Sequence, residues 1–190
     1  MNTIVKIVSP KIDLKRFFDG TDPSLVIKDL AEIGNIDYRD AIYIYPEGIL
    51  PSINLNEIQD YSSVFGNYFQ NNHKIIVGIT RYKETEIFNS MAVLDNDLKL
   101  ISVYDKNKLV PFGEFLPFEK ILKSIGLKKI TEGHGSFVKG DNQNNLIIER
   151  NDFLHSCYYG HRSQMVINTK SLSIVLLRVR VIVVISSWQR

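Results

Sequence analysis

The sequence predicts an α/β domain, and three observations carry that reading. Short β-rich runs recur at residues 4–8, 41–45 and 74–79. The stretches between them carry helix-start signals followed by apolar residues at helical spacing. A fourth and fifth run, 87–94 and 98–104, flank the polar turn Asp95-Asn96-Asp97, which reads as a hairpin. Strands alternating with helices, closed by a hairpin, indicate a sheet covered by helices.

Each element has its own local reason. Residues 4–8 are almost continuously apolar, as a strand buried on both faces is. Asp22 and Pro23 then open a helix: aspartate caps orphan N–H groups, and proline fits the first helical position. Leu25, Ile27, Leu30, Ala31 and Ile33 supply its apolar residues. The second strand, 41–45, ends at Pro46-Glu47. Asn54 and Glu57 stand at the spacing of a capping box, so a helix is expected after them, with Leu55, Ile58, Tyr61, Phe65 and Tyr68 facing inward. A short helix is expected over 119–125 and a short strand over 145–149. The Gly/Ser-containing stretch from Glu132 and the polar run 139–145 read as loops.

The composition admits one domain and excludes several classes. A chain of 190 residues is long enough to bury a proper core. Its 44% hydrophobic and 23% charged residues are ordinary for a globular protein, and a net charge of +2 gives no sign of a nucleic-acid partner. The single cysteine, Cys157, excludes an intrachain disulfide and fits a reducing compartment. The N-terminus reads as a strand rather than a signal peptide. The longest apolar stretch, 172–187, contains Arg178 and Arg180; a charge at a helix centre costs roughly 2.5–3.5 kcal/mol on insertion, so no membrane span is expected there. No cluster of His and Cys suggests a metal, and no cofactor is expected.

Two segments carry chemistry. In the first, Tyr45-Pro46-Glu47-Gly48, a carboxylate is set at the C-terminal end of a strand, where α/β sheets tend to hold their reactive groups. The second runs from Tyr104 to Pro117. It holds Lys106, Lys108 and Glu114 among Leu109, Val110, Pro111, Phe112, Phe115, Leu116 and Pro117. Isolated charges in a loop are ordinarily solvated. This loop is apolar enough to be expected to pack down, and a lysine held out of water is a stronger electrostatic stabiliser than one in it.

Together these segments resemble the catalytic domain of the apolipoprotein N-acyltransferases, a membrane branch of the nitrilase (carbon–nitrogen hydrolase) superfamily. The resemblance covers roughly residues 4–150. It implies a nitrilase-like α-β-β-α sandwich, here partial and incomplete after about residue 150. It implies a Glu–Lys–Cys triad in which Glu47 is the general base and Lys106, at the family's Tyr-x-Lys-x-x-Leu position, stabilises an oxyanion. It makes Cys157 the nucleophile, with Glu114 and Tyr158 as auxiliary active-site residues. Pro111-Phe112-Gly113-Glu114 is the element that selects the acyltransferase branch. Asn89-Ser90 and Phe137 with Gly140 also match family positions and read as structural.

The chain departs from the family near its implied nucleophile. Tyr159 stands where the family has glutamate, and His155-Ser156 stand where it has aliphatic strand residues. After Cys157 no family pattern is recognised, and the only tryptophan is Trp188. Near the N-terminus, Phe17 or Phe18 occupies the place of a family tryptophan. The expected organisation is therefore a partial carbon–nitrogen hydrolase domain over 1–155 and an aberrant tail over 156–190. In that tail, alternating apolar residues from 175 to 185 read as an aggregation-prone strand.

The resemblance implies acyl transfer from a phospholipid to the N-terminal amine of a diacylglyceryl-cysteine lipoprotein, through a thioester on the cysteine. It places the family in the bacterial inner membrane with the catalytic domain facing the periplasm. This chain shows no membrane span and no signal peptide. It is expected to be a truncated, inactive fragment, with a cytoplasmic location. Two other readings stay open: a soluble amidase of the nitrilase superfamily, and a non-catalytic remnant.

Overall fold

The computed structural model describes residues 4–9, 20–50, 53–117, 136–141, 145–149, 164–168, 173–176 and 180–185. Its centre is a mixed sheet. Strands β1 (Ile4–Ser9), β2 (Ala41–Ile44) and β3 (His73–Lys83) run parallel, and β4 (Glu86–Asp95) and β5 (Leu100–Asp105) follow as an antiparallel meander. Strands β6 (Asn145–Glu149), β7 (Gln164–Asn168) and β8 (Ser173–Leu176) form a separate antiparallel sheet. The last strand, β9 (Arg180–Ile185), pairs in parallel with β1, so the main sheet has the order β5-β4-β3-β2-β1-β9. The domain is α/β, as the alternation of runs predicts.

The period of two along each strand divides the apolar side chains between the sheet's faces. Ile4 and Val8, Ala41 and Tyr43, Ile75, Val77 and Ile79, and Ala92 and Leu94 point to one face. There they join Val26, Ile27 and Leu30 of the first helix and Ile58, Phe65 and Phe69 of the next segment. Val5, Ile42, Ile76, Val93 and Tyr104 form a smaller cluster on the other face.

Helix α1 (Pro23–Gly34) begins as its sequence predicts. Asp22 accepts a hydrogen bond from the Ser24 N–H at 2.9 Å, and Pro23 occupies the first turn. Asn35 ends it in the left-handed conformation (φ 46°), donating its N–H to the carbonyls of Ala31 and Glu32. One expected core residue is not inside: Leu25 is exposed, because the buried stripe is Val26, Ile27, Leu30 and Ala31. The stretch after Asn54 also differs from expectation. Asn54 accepts from the N–H of Asn56 with its side chain and from that of Glu57 with its carbonyl, which makes a turn rather than a reciprocal capping box. One 3₁₀ turn (Ile58–Tyr61) and helix α2 (Ser62–Gly66) follow. Leu55, Ile58 and Phe65 still reach the core.

Strand β3 runs on past the expected run of 74–79, because pairing with β4 from Lys74 to Lys83 stabilises its polar end. The hairpin forms as predicted, with Asp95 accepting from the N–H groups of Asp97 and Lys99. The expected strand over 145–149 is β6, and the alternating tail supplies β8 and β9. The helix expected over 119–125 lies outside the described residues. Among the described residues no helix is long and apolar enough to cross a membrane.

Candidate active site

The parallel strands bring two chain ends to one edge of the sheet. Past β2, Tyr45 donates its N–H to Ile76, and the chain turns at Glu47-Gly48, with Gly48 at φ 70°. Glu47 crosses directly over Gly78 of β3. A Cβ on Gly78 would lie 2.5 Å from the Glu47 Cα, so only glycine allows this approach. Past β5, Lys106 donates its backbone N–H to the Asn89 carbonyl at 2.8 Å, which extends the β4–β5 ladder by one residue. Lys106 then accepts from the Gly140 N–H at 3.1 Å. Gly140 lies against the Asp105 carbonyl so closely that a side chain there would collide with it.

These two ends bring Glu47 and Lys106 together with Glu114. The Lys106 ammonium donates to Glu114 Oε1 at 2.9 Å and lies 3.7 Å from Glu47 Oε2. The Asn89 amide Nδ2 donates to both carboxylates, Glu47 Oε1 and Glu114 Oε1, each at 2.5 Å. Glu114 also accepts from the Val110 N–H at 2.7 Å. The side chains differ in exposure: Glu114 is 12% exposed, Lys106 33% and Glu47 61%.

The electrostatics follow from that packing. Burial pulls the Lys106 ammonium down. The hydrogen bond to Glu114 and the charges of Glu47 and Glu114 outweigh it and hold Lys106 above the ordinary lysine value. Burial pushes the Glu114 carboxyl up, and the Lys106 ammonium, the Val110 N–H and the Asn89 amide more than reverse this, so it lies below the usual range. Lysine is thus held charged beside an ionised, buried partner and a second, exposed carboxylate. Such a site can stabilise developing negative charge and accept a proton at Glu47.

On the opposite face of the same strands a second cluster fixes the end of β5. Arg81 donates Nε to Asp105 Oδ1 at 3.0 Å and Nη2 to Asp105 Oδ2, and Ser90 Oγ donates to Asp105 Oδ1 at 2.6 Å. The Arg81 guanidinium lies 5.2 Å from the Phe88 ring centroid. Asp105 immediately precedes Lys106, so this ion pair anchors the backbone from which the lysine projects.

Of the five residues singled out in the sequence, Glu47, Lys106 and Glu114 come together, while Cys157 and Tyr158 lie outside the described residues. Lys108, the competitor of Lys106, is exposed. The loop 109–117 packs down through Glu114 and Leu116, but Val110 and Phe112 remain exposed. Val110 and Phe112 therefore do not seat the loop; Leu116 and the polar contacts of Glu114 do. Asn89 was not expected in the site. Its signal was present in the alternation of β4, where an amide shares a face with Met91 and Val93. Among the described residues no group of His, Cys, Asp and Glu is arranged to hold a metal.

Comparison with known proteins adds a lineage. No family model matches the chain. The apolipoprotein N-acyltransferase of Rhizobium leguminosarum bv. trifolii is 30% identical over 146 residues, 70% of this chain and 27% of that protein. The enzyme of the same name from Bradyrhizobium diazoefficiens is 34% identical over 110 residues, covering 54% and 20%. That from Brucella suis biovar 1 is 27% identical over 156 residues, covering 76% and 29%. The chain therefore spans 20–29% of the length of these relatives. Among solved structures, an N-terminal amidase with a Gln-Gly peptide aligns with a TM-score of 0.44 and 12% identity, over 76% of this chain and 32% of that one. A carbon–nitrogen hydrolase from Helicobacter pylori G27 aligns with a TM-score of 0.38 and 11% identity, over 55% and 39%. In sequence, the chain is similar to apolipoprotein N-acyltransferases over 54–76% of its length.

Proposed function

We propose that this site belongs to an acyl-transfer centre working by covalent catalysis, with Glu47 as base, Lys106 as oxyanion stabiliser and Cys157 as nucleophile. The observation that carries it is the convergence of Glu47 and Glu114 on one ammonium at the sheet's C-terminal edge. The name of these relatives supplies the reaction class. Glu47 takes the proton of the Cys157 thiol, and the thiolate adds to an ester carbonyl of a phospholipid. The Lys106 ammonium neutralises the tetrahedral oxyanion. Collapse breaks the ester C–O bond, the leaving alcohol takes the proton from Glu47, and a thioester remains. The amine of a lipoprotein's N-terminal diacylglyceryl-cysteine then forms the amide, breaking the C–S bond and returning the proton through Glu47. Glu114 keeps Lys106 charged and in place throughout.

Turnover by this chain is proposed to be weak, since Tyr159 stands where the family resemblance implies a glutamate beside the nucleophile. The experiment is the rate of Cys157 alkylation by iodoacetamide, read by mass spectrometry in buffer, in strong urea and in Glu47→Ala. An assembled triad gives faster alkylation in buffer than in urea, because a neighbouring base and cation favour thiolate, and Glu47→Ala slows it. Equal rates in all three conditions would reject the triad.

A further inference from the structure

We infer that Asn89 is a positioning residue that tethers the exposed carboxylate of Glu47 over the Lys106 ammonium. The two carboxylates of the site are held very differently. Glu114 is buried and has three partners: Lys106, the Val110 N–H and Asn89. Glu47 has a side chain 61% exposed and lies 3.7 Å from Lys106, a separation at which a solvated ion pair contributes little. Such a contact does not by itself hold a glutamate against its rotamer freedom. The hydrogen bond from Asn89 at 2.5 Å is the closest polar contact recorded for Glu47. Asn89 itself is buried on β4, and its backbone also holds the residue that follows β5: the Asn89 carbonyl accepts the Lys106 N–H. One residue therefore sets both the lysine backbone and the glutamate head group.

The amide is the fitting donor for this place. Its two N–H groups serve two carboxylates at once without adding charge. An aspartate there would be a third anion, and a lysine would compete with Lys106. Among the described residues, loss of Asn89 leaves Glu114 with two partners and Glu47 with only the long ion pair, so the effect of its loss falls on Glu47.

The test reads Lys106 rather than turnover. A lysine-directed N-hydroxysuccinimide ester acylates neutral amine, and the rate at Lys106 is followed by peptide mass spectrometry as a function of pH on the full chain. Removing one neighbouring carboxylate lowers the ammonium's proton affinity, so Glu47→Gln moves the profile to lower pH and raises the rate on its alkaline limb, by about three- to tenfold. Asn89→Leu produces the same shift, and the double variant shifts no further. Asn89→Ser, which is smaller and cannot reach both carboxylates, is the second variant should leucine disturb the fold. An Asn89 shift that persists in full in the Glu47→Gln background overturns the tether, as does a wild-type profile in both Asn89 variants. A profile unmoved by Glu47→Gln overturns it too, because Glu47 would then not lie near Lys106.

The catalytic meaning of the tether rests on the reading of Glu47 as base, and the two fail separately. Cys157 alkylation indifferent to Glu47→Ala removes the triad, while the Lys106 profile still reports whether Asn89 holds Glu47.

Discussion

Two lysines sit in polar clusters on different strands of the same sheet, and they are treated in opposite ways. Lys6 of β1 is 3% exposed at its side chain and fully engaged. Its ammonium donates to the Asn35 carbonyl at 2.5 Å and to Asp37 at 3.2 Å, and lies 5.2 Å from the Tyr43 ring centroid. The hydrogen bond from the Arg39 guanidinium holds Asp37 well below the usual carboxylate range, and burial pushes the Tyr43 phenol up to about 12. His73 uses both ring nitrogens: Nδ1 accepts from the Gln70 N–H, and Nε2 faces the Arg39 carbonyl, so Nε2 carries the proton. Lys106 sits in a cluster of similar make-up, but its side chain is 33% exposed and one of its carboxylates faces solvent. A closed cluster spends its polarity on fixing the fold, whereas an open one leaves charge for a ligand. Burial with complete partnering marks the first as structural; incomplete enclosure is what the proposed acyl-transfer centre requires of the second.

The sharpest way to break this contrast is to remove one partner from each lysine. Asp37→Ala leaves a buried ammonium short of its counter-ion and is expected to cost about 3 kcal/mol in denaturant unfolding. A loss below about 1 kcal/mol would mean that the Asn35 carbonyl and water compensate, and that the cluster is not closed. Gly78→Ala comes next. The new methyl meets the Glu47 backbone, so the turn must shift, at about 2 kcal/mol for overpacking. It should also reproduce the Glu47→Ala effect on Cys157 alkylation; unchanged alkylation would detach the turn's position from the site.

Titration gives smaller effects with a defined sign. Burial holds the His73 imidazole below its ordinary value of 6.5. A depressed native value means the unfolded chain binds the proton first. Its stabilising contribution is therefore complete above 6.5 and is lost as pH falls through the native value. His73→Gln should flatten that acid limb, and an unchanged slope would place the acid sensitivity elsewhere. At the site the two groups bound a window from opposite sides. Glu114, lowered, contributes above the ordinary carboxylate range, and Lys106, raised, contributes until pH climbs through its elevated value. Smallest of all is Glu47→Gln, expected within about 0.5 kcal/mol of the parent in stability because its side chain is mostly solvated. A large loss there would make Glu47 a structural residue and erase the contrast between the two clusters.

Much of this was legible in the residues. Asp22-Pro23 opened α1 because capping and proline geometry act locally, and the apolar runs set β1 to β5 because alternation needs no tertiary knowledge. Glu47, Lys106 and Glu114 were legible through their motifs. What was not legible depended on register. Leu25 lies outside because a helix's buried stripe is set by what it packs on. Asn54 forms a turn because a capping box and an Asx turn share the same residues. Asn89 read as structural, because its place beside the carboxylates needs three chain segments, 47, 106 and 114, to meet. Its place among apolar neighbours was the only local trace.

Beside the site runs the segment 136–141, whose recorded backbone bonds reach three places: Phe137 N–H to the Glu114 carbonyl, Val138 N–H to Ile87, and Gly140 N–H to Lys106. A segment moored by its peptide groups is indifferent to most of its own letters. At Val138 and Lys139 the text could be rewritten, proline at 138 excepted, while the mooring endures. At Gly140 it cannot, since any larger residue would press on the Asp105 carbonyl and lift the strap from the lysine's strand.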